Sequence, residues 1–170
     1  MTVFANLVEA DLKRGMRLMV RVQSEIDPQI RFASPEGDYA LAVTLPSDDR
    51  ERRTFFAQVA KLLAWKQALA FTLVVEAKEP NALMAAGVSR AEIACCAVRV
   101  PVVRPLTLEA FANIEWLPAD AVGTEVRDLL PRGACVVSDA DRQELERLFG
   151  KHGRFPLVHL PTKKIVGLGR

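Results

Sequence analysis

From Val3 to about Ser24, the apolar residues Phe4, Leu7, Val8, Leu12, Met16, Met19 and Val20 recur at three- and four-residue steps. That spacing predicts an amphipathic helix. Lys13, Arg17 and Arg21 fall on its other face. Beyond Pro28 the pattern changes: QIRFA reads as a short extended piece, SPEG at 34–37 as a turn, and DYALAVTLP as a strand stopped by Pro46. Ser47 is the expected N-cap of the next helix, because Asp48, Asp49 and Glu51 then occupy the first turn, where the helix dipole favours negative charge. Phe55, Phe56, Val59, Leu62 and Leu63 carry its apolar stripe toward Ala68. FTLVVEA follows as a strand and closes a β-α-β unit over 38–77; were its two strands parallel neighbours, the crossover would be right-handed.

Pro80 and Asn81 turn the chain into two further strands, ALMAAGV and IACCAVRV, joined across Ser89-Arg90-Ala91-Glu92. Pro101 and Pro105 mark an edge or a bulge. TLEAFANIEWL reads as extended, PADAVGTEVRDLL as a helix and ACVV as a short strand. Ser138-Asp139-Ala140-Asp141 resembles a capping arrangement for a helix to Phe149. RFPLVHLP and IVGLG then read as a C-terminal hairpin. The expected fold class is α+β, or mixed α/β: one domain over 1–170, with one sheet of about five to seven strands and about four helices.

Composition supports that picture. A chain of 170 residues, half apolar and 26% charged, has the balance of a globular domain rather than of a disordered chain. Cys95 and Cys96 are neighbours that point to opposite sides of a strand, and with Cys135 they make an odd count. No disulfide framework is legible, which favours a reducing compartment. Glu9 and Asp11 fall where a secretory signal would stay apolar, and no apolar run has the length of a membrane span. The expectation is a soluble, cytoplasmic protein.

The net charge of +2 is too small to imply a nucleic-acid partner, but it is unevenly distributed. Residues 151–170 carry five basic groups and no acid, while 105–149 carry nine acids against four arginines. Lys13, Arg17 and Arg21 on the first helix, with Lys163 and Lys164 near the C-terminus, are the candidate partner- or phosphate-binding groups. Only Phe155 offers an aromatic surface in the basic segment, which argues against base stacking there.

The sharpest candidate chemistry is Glu76-x-Lys78, because two-residue spacing puts a carboxylate and an ammonium on one face of a strand end. The pair locally resembles the acid-x-Lys strand of restriction-enzyme-type nucleases. That resemblance implies a divalent metal shared with an upstream acid, here Asp38, Asp48 or Asp49, Asp49 and Glu76 forming the candidate metal pair. The departure is that the family brings its first acid on a hairpinned strand, whereas a helix of about twenty residues intervenes here. The simpler reading is that an apolar strand turns polar where it leaves the sheet.

His159 is a candidate general acid-base, although the sequence identifies no partner for it. Cys135 comes nearest to a nucleophile, since its strand leads toward a helix N-terminus. No glycine pattern cradles a phosphate, and there is no G-x-S-x-G. Trp65 and Trp116 are candidate partner anchors. The sequence therefore favours a non-enzymatic binding, accessory or regulatory module with a protein partner or self-association and no cofactor. A metal-dependent nuclease or phosphodiesterase using Glu76 and Lys78 is the alternative, and nucleic-acid binding through the basic C-terminal segment is the second.

Overall fold

The computed structural model describes residues 2–92, 94–130 and 136–160. Helix α1 (Val3–Val22) begins where Thr2 accepts the Ala5 amide and ends at Gln23, whose left-handed backbone sends its N–H back to the Met19 carbonyl. Strands β1 (Gln29–Ser34) and β2 (Gly37–Ala42) form a hairpin. Gly37 has a φ of +135° in its turn, and a Cβ there would lie 2.5 Å from His159 Nε2, so both conformation and space select glycine.

Helix α2 (Asp49–Trp65) starts one residue later than the sequence suggests. Asp48, not Ser47, has the extended backbone of the cap and accepts the Glu51 amide at 2.9 Å. The helix stops at Trp65 rather than Ala68, because Gln67 turns left-handed. Strands β3 (Ala70–Lys78), β4 (Asn81–Ser89) and β5 (Ala94–Pro101) form a meander, joined at its outer edge by β6 (Glu115–Leu117). Helices α3 (Thr124–Arg127) and α4 (Asp139–Phe149) and strand β7 (Val158–Leu160) complete the described elements.

These elements give a mixed α/β fold with a seven-stranded sheet of order β6-β5-β4-β3-β1-β2-β7 and antiparallel neighbours throughout. The β2-α2-β3 unit is present, but β1 lies between its two strands and pairs with both, so they run parallel without touching. Strand β7 pairs with β2; the second arm of the expected C-terminal hairpin lies outside the described residues.

Three other expectations change. TLEAFANIEWL divides into a 3-10 turn at Glu109–Phe111 and β6, since Phe111 alone plunges into the core. PADAVGTEVRDLL is helical only over Thr124–Arg127, after a 3-10 turn at Ala119–Ala121, because Val122 and Gly123 are extended. Of ACVV, Val136 and Val137 are described and are not strand, the exposed Val136 standing beside the buried Val137, while Ala134 and Cys135 lie outside the described residues.

The sheet has a core on each face. On one, α2 and α4 cover Ile30, Phe32, Leu41, Phe71 and Leu73 with Phe55, Val59, Leu63, Leu145 and Phe149. On the other, Phe4, Val8, Leu12, Met16 and Met19 of α1 pack on Val74, Leu83, Ala85, Val98 and Val100. Strand β3 is central and buried through Ala70–Val74, which is why its sequence is a continuous apolar run rather than an alternation. Val102 and Leu106 join the α1 core, so the Pro101 to Pro105 stretch stays attached to it.

Candidate functional site

Two places in the fold gather polar groups against apolar walls, and each follows from how a helix meets the sheet. The first lies beneath α1. Asp11 falls on the sheet-facing side of the helix with a side chain 2% exposed. Its Oδ1 accepts from Arg31 Nη1 at 2.5 Å and from Arg14, and its Oδ2 accepts from Thr72 Oγ1 at 2.5 Å. Burial pushes the carboxyl above the usual carboxylate range, against the opposing pull of Arg31 and of the Thr72 hydrogen bond. The cavity beside it, walled by Leu7, Asp38 and Leu160, holds about 10 Å³, room for about one water. A fully bonded group beside so little space ties α1 to β1 and β3.

The second lies on the opposite face, where α4 crosses α2. Ser138 caps α4 through the Asp141 amide at 3.1 Å, and Lys61 fixes the crossing by donating to Asp141 at 2.6 Å. The Lys61 contact, and the Ser138 hydroxyl donating to Asp141 Oδ2 at 2.8 Å, hold the Asp141 carboxyl below its ordinary range. Because α4 covers only part of α2, an open cleft of about 770 Å³ remains between the first half of α2, the end of α4 and Arg154. Phe55 and Leu148 form its apolar floor; Asp48, Arg50, Glu51, Thr54, Gln58, Glu144 and Arg154 form its polar rim. Its size falls in the range of sites that enclose ligands, about 300–1,000 Å³.

Gln58 lines that cleft but keeps one atom closed off from it. Gln58 Oε1 is buried and has no hydrogen-bond partner, in an interior where buried polar atoms are nearly always bonded. Its neighbours are otherwise engaged: Asp48 caps α2, Thr54 donates to the Arg50 carbonyl at 3.0 Å, and Glu144 is held bidentately by Arg147 at 2.6 and 2.8 Å. The Arg147 contacts hold the Glu144 carboxyl below its usual range. Arg154 lies over the Phe155 ring, 5.2 Å from its centroid.

The residues singled out from the sequence lie elsewhere. Lys78 stands in water, its side chain 81% exposed and 4.0 Å from Glu25. Glu76 does not follow it fully outward: its Oε2 is buried without a partner, and burial, then Glu25, raise its pKa against Arg104 and Lys78. The upstream acids are placed apart from this pair, Asp48 on the α2 cap, Asp49 against Arg52 and Asp38 in the wall of the Asp11 cavity. Among the described residues, no group of three or more His, Cys, Asp or Glu is arranged to hold a metal ion.

His159 is exposed on β7, edge-on to Tyr39 at 5.1 Å between ring centroids. Lys13 pairs with Glu9 at 2.5 Å, while Arg17 and Arg21 are exposed on α1. Cys135, Lys163 and Lys164 lie outside the described residues. Cys95 and Cys96 are half-buried free thiols, and burial pushes Cys96 up to about 11, leaving little thiolate at neutral pH. Trp65 is half-buried with the Lys66 ammonium 4.6 Å above its ring, and Trp116 is 37% exposed on the edge strand β6.

Sequence reasoning missed both polar sites. Asp11 carried a signal, since it sits seven residues after Phe4 on the apolar stripe and Thr72 interrupts an apolar strand. Gln58 carried none, because an exposed glutamine and an orphaned one read alike. No family model matches the chain, and no curated protein or solved structure is found to match it.

Proposed function

We propose that this protein is a non-enzymatic binding module of the cytoplasm whose recognition site is the cleft between α2 and α4. The observation that carries this reading is the cleft itself: about 770 Å³ of open space with an apolar floor and a polar rim that carries both signs of charge. Open space of that size with an apolar floor and a rim of both charges suits a segment of another polypeptide, whose backbone and side chains supply polar and apolar contacts together. The half-buried free thiols Cys95 and Cys96 support a reducing compartment. Among the described residues no helix is long and apolar enough to cross a membrane.

The reading is tested by following backbone amide shifts while adding an equimolar pool of three capped tripeptides, acetyl-Leu-X-Leu-amide with X as Arg, Gln or Glu. The expected shifts concentrate on residues 48–58 and 144–154, the stretches that line the cleft. Shifts centred instead on Glu76 and Lys78, or on the Asp11 cavity, contradict it.

A further inference from the structure

The helices leave part of each sheet face bare, and on the α1 side the bare part is a trough. Helix α1 packs on β3, β4 and β5, and no residue of β1, β2 or β7 belongs to its core. Ile30, Phe32 and Leu41 point to the α2 and α4 side, so their immediate neighbours along β1 and β2 point to the α1 side. Register partners across an antiparallel pair share a face, which places Leu160 with Asp38 and Val158 with Ala40. Ala40, Ala42, Val158 and Leu160 therefore floor a strip beside α1 that no helix covers among the described residues. Val158 is 55% exposed there, and Ala42 is exposed as well.

Three observations bear on what covers this strip. The first is where the chain goes. Leu160 meets Leu7 and Asp38 at the cavity beside Asp11, at one end of the trough, and it is the last residue described. The ten residues PTKKIVGLGR follow it. The second is pattern and length. In an extended chain Val166 and Leu168 share one face, while Gly167 and Gly169 fall on the other beside Ile165. A segment with one greasy side suits a floor with one open side, and the five residues from Ile165 to Gly169 match the five of β2 from Asp38 to Ala42. The third is charge. Asp38 has no ion-pair partner among the described residues. Lys163 and Lys164 come three and four residues after its register partner, Leu160.

We propose that residues 161–170 fold back over this trough, with Lys163 and Lys164 beside Asp38 and with Val166 and Leu168 lying on Ala40 between Leu7 and Val158. Small alanines below leave room for the larger side chains above. The segment then also covers the open side of the Asp11–Arg31 contact, since Arg31 points to the same face of β1 and its side chain is 19% exposed. Tethering favours this occupant over a second copy of the chain, because a short tether holds the segment at an effective concentration in about the millimolar range.

The test follows nuclear Overhauser contacts of the Val166 and Leu168 methyl groups in the full chain. Contacts to the methyl groups of Leu7 and Ala40 are expected. Leu168→Asp is expected to abolish them and to shift the amides of Ala40, Ala42 and Val158, and a capped peptide of sequence PTKKIVGLGR added to that variant is expected to return those shifts toward their wild-type positions. Contacts confined to β7, as for an added edge strand, overturn the proposal. So do contacts to Phe55 and Leu148 in the α2–α4 cleft, contacts found only between differently labelled molecules, or no contacts at all. Amide shifts at Ala40 and Ala42 that Leu168→Asp leaves in place overturn it too.

Discussion

Replacing Arg31 by methionine lowers the unfolding free energy by about 3 kcal/mol at neutral pH, as expected when one partner of a buried ion pair is removed and the other stays behind. The loss falls at the low end for such a change because Asp11 keeps Arg14 and the Thr72 hydroxyl. The loss depends on pH, and its sign follows from Asp11. Burial already raises that carboxyl in the folded state, and removing Arg31 takes away the charge that lowers it most. A carboxyl whose folded pKa lies above its unfolded value is protonated first in the native state as the pH falls. Its ionisation therefore weakens the fold above the folded pKa, and protonation restores that stability below it.

The difference between Arg31→Met and the wild-type chain should accordingly shrink as the pH drops from about 7 toward about 4.5, as urea unfolding at each pH would show. A second change sharpens the test. The double variant Asp11→Leu with Arg31→Met should be less destabilised than Arg31→Met alone, since no charge is then left buried without its partner. A loss that stays constant with pH, or a double variant worse than the single, contradicts this account of how α1 is fastened.

Gly87→Ala is expected to cost about 2–3 kcal/mol, within the range for overpacking a filled core. Gly87 lies on β4 beneath α1, where an added Cβ would come within 2.7 Å of Phe4, 2.8 Å of the Phe71 carbonyl oxygen and 2.9 Å of Val8. The carbonyl belongs to the adjacent strand and has nowhere to go, and Phe4 and Val8 clear the new methyl only if α1 lifts. Gly15→Ala, on the helix side of the same interface, is the control. Its Cβ would meet Val74 at 3.0 Å and Leu83 at 3.1 Å, both side-chain methyl groups. Alanine also gains about 1 kcal/mol of helix propensity over glycine. The two substitutions should therefore differ by about 2 kcal/mol in urea unfolding. Equal losses at the two positions would mean that α1 is not held against the sheet at Gly87.

The fold was legible wherever periodicity decided it. The α1 stripe from Phe4 to Met19, the β1–β2 turn at SPEG, the FTLVV run of β3 and the Ser138 cap each state their element in the residues themselves. Legibility failed between Pro101 and Val137, where Val122, Leu129, Leu130 and Val137 are buried one at a time by turns that have no period. Strand order was hidden for a different reason: the insertion of β1 between β2 and β3 depends on long-range pairing, which a single chain does not spell out.

The candidate sites divide the same way. Glu76 and Lys78 drew attention because they are two apart on a strand, yet spacing along one element says nothing about whether Asp38, Asp48 or Asp49 approaches them from another. The reading of that strand end as a wet terminus fits Lys78 and fits Glu76 only in part, since one of its oxygens is buried. The α2–α4 cleft is a product of how much of α2 is left uncovered by α4, a matter of helix crossing. Of its lining residues, Phe55 stood in the apolar stripe of α2 and Asp48 and Glu51 in its acidic first turn, and none of these readings pointed to a cleft.

A crystal structure of the chain with acetyl-Leu-Arg-Leu-amide bears most directly on the cleft. The peptide should lie between α2 and α4, with its leucine side chains against Phe55 and Leu148. A peptide bound anywhere else on the chain would contradict the assignment.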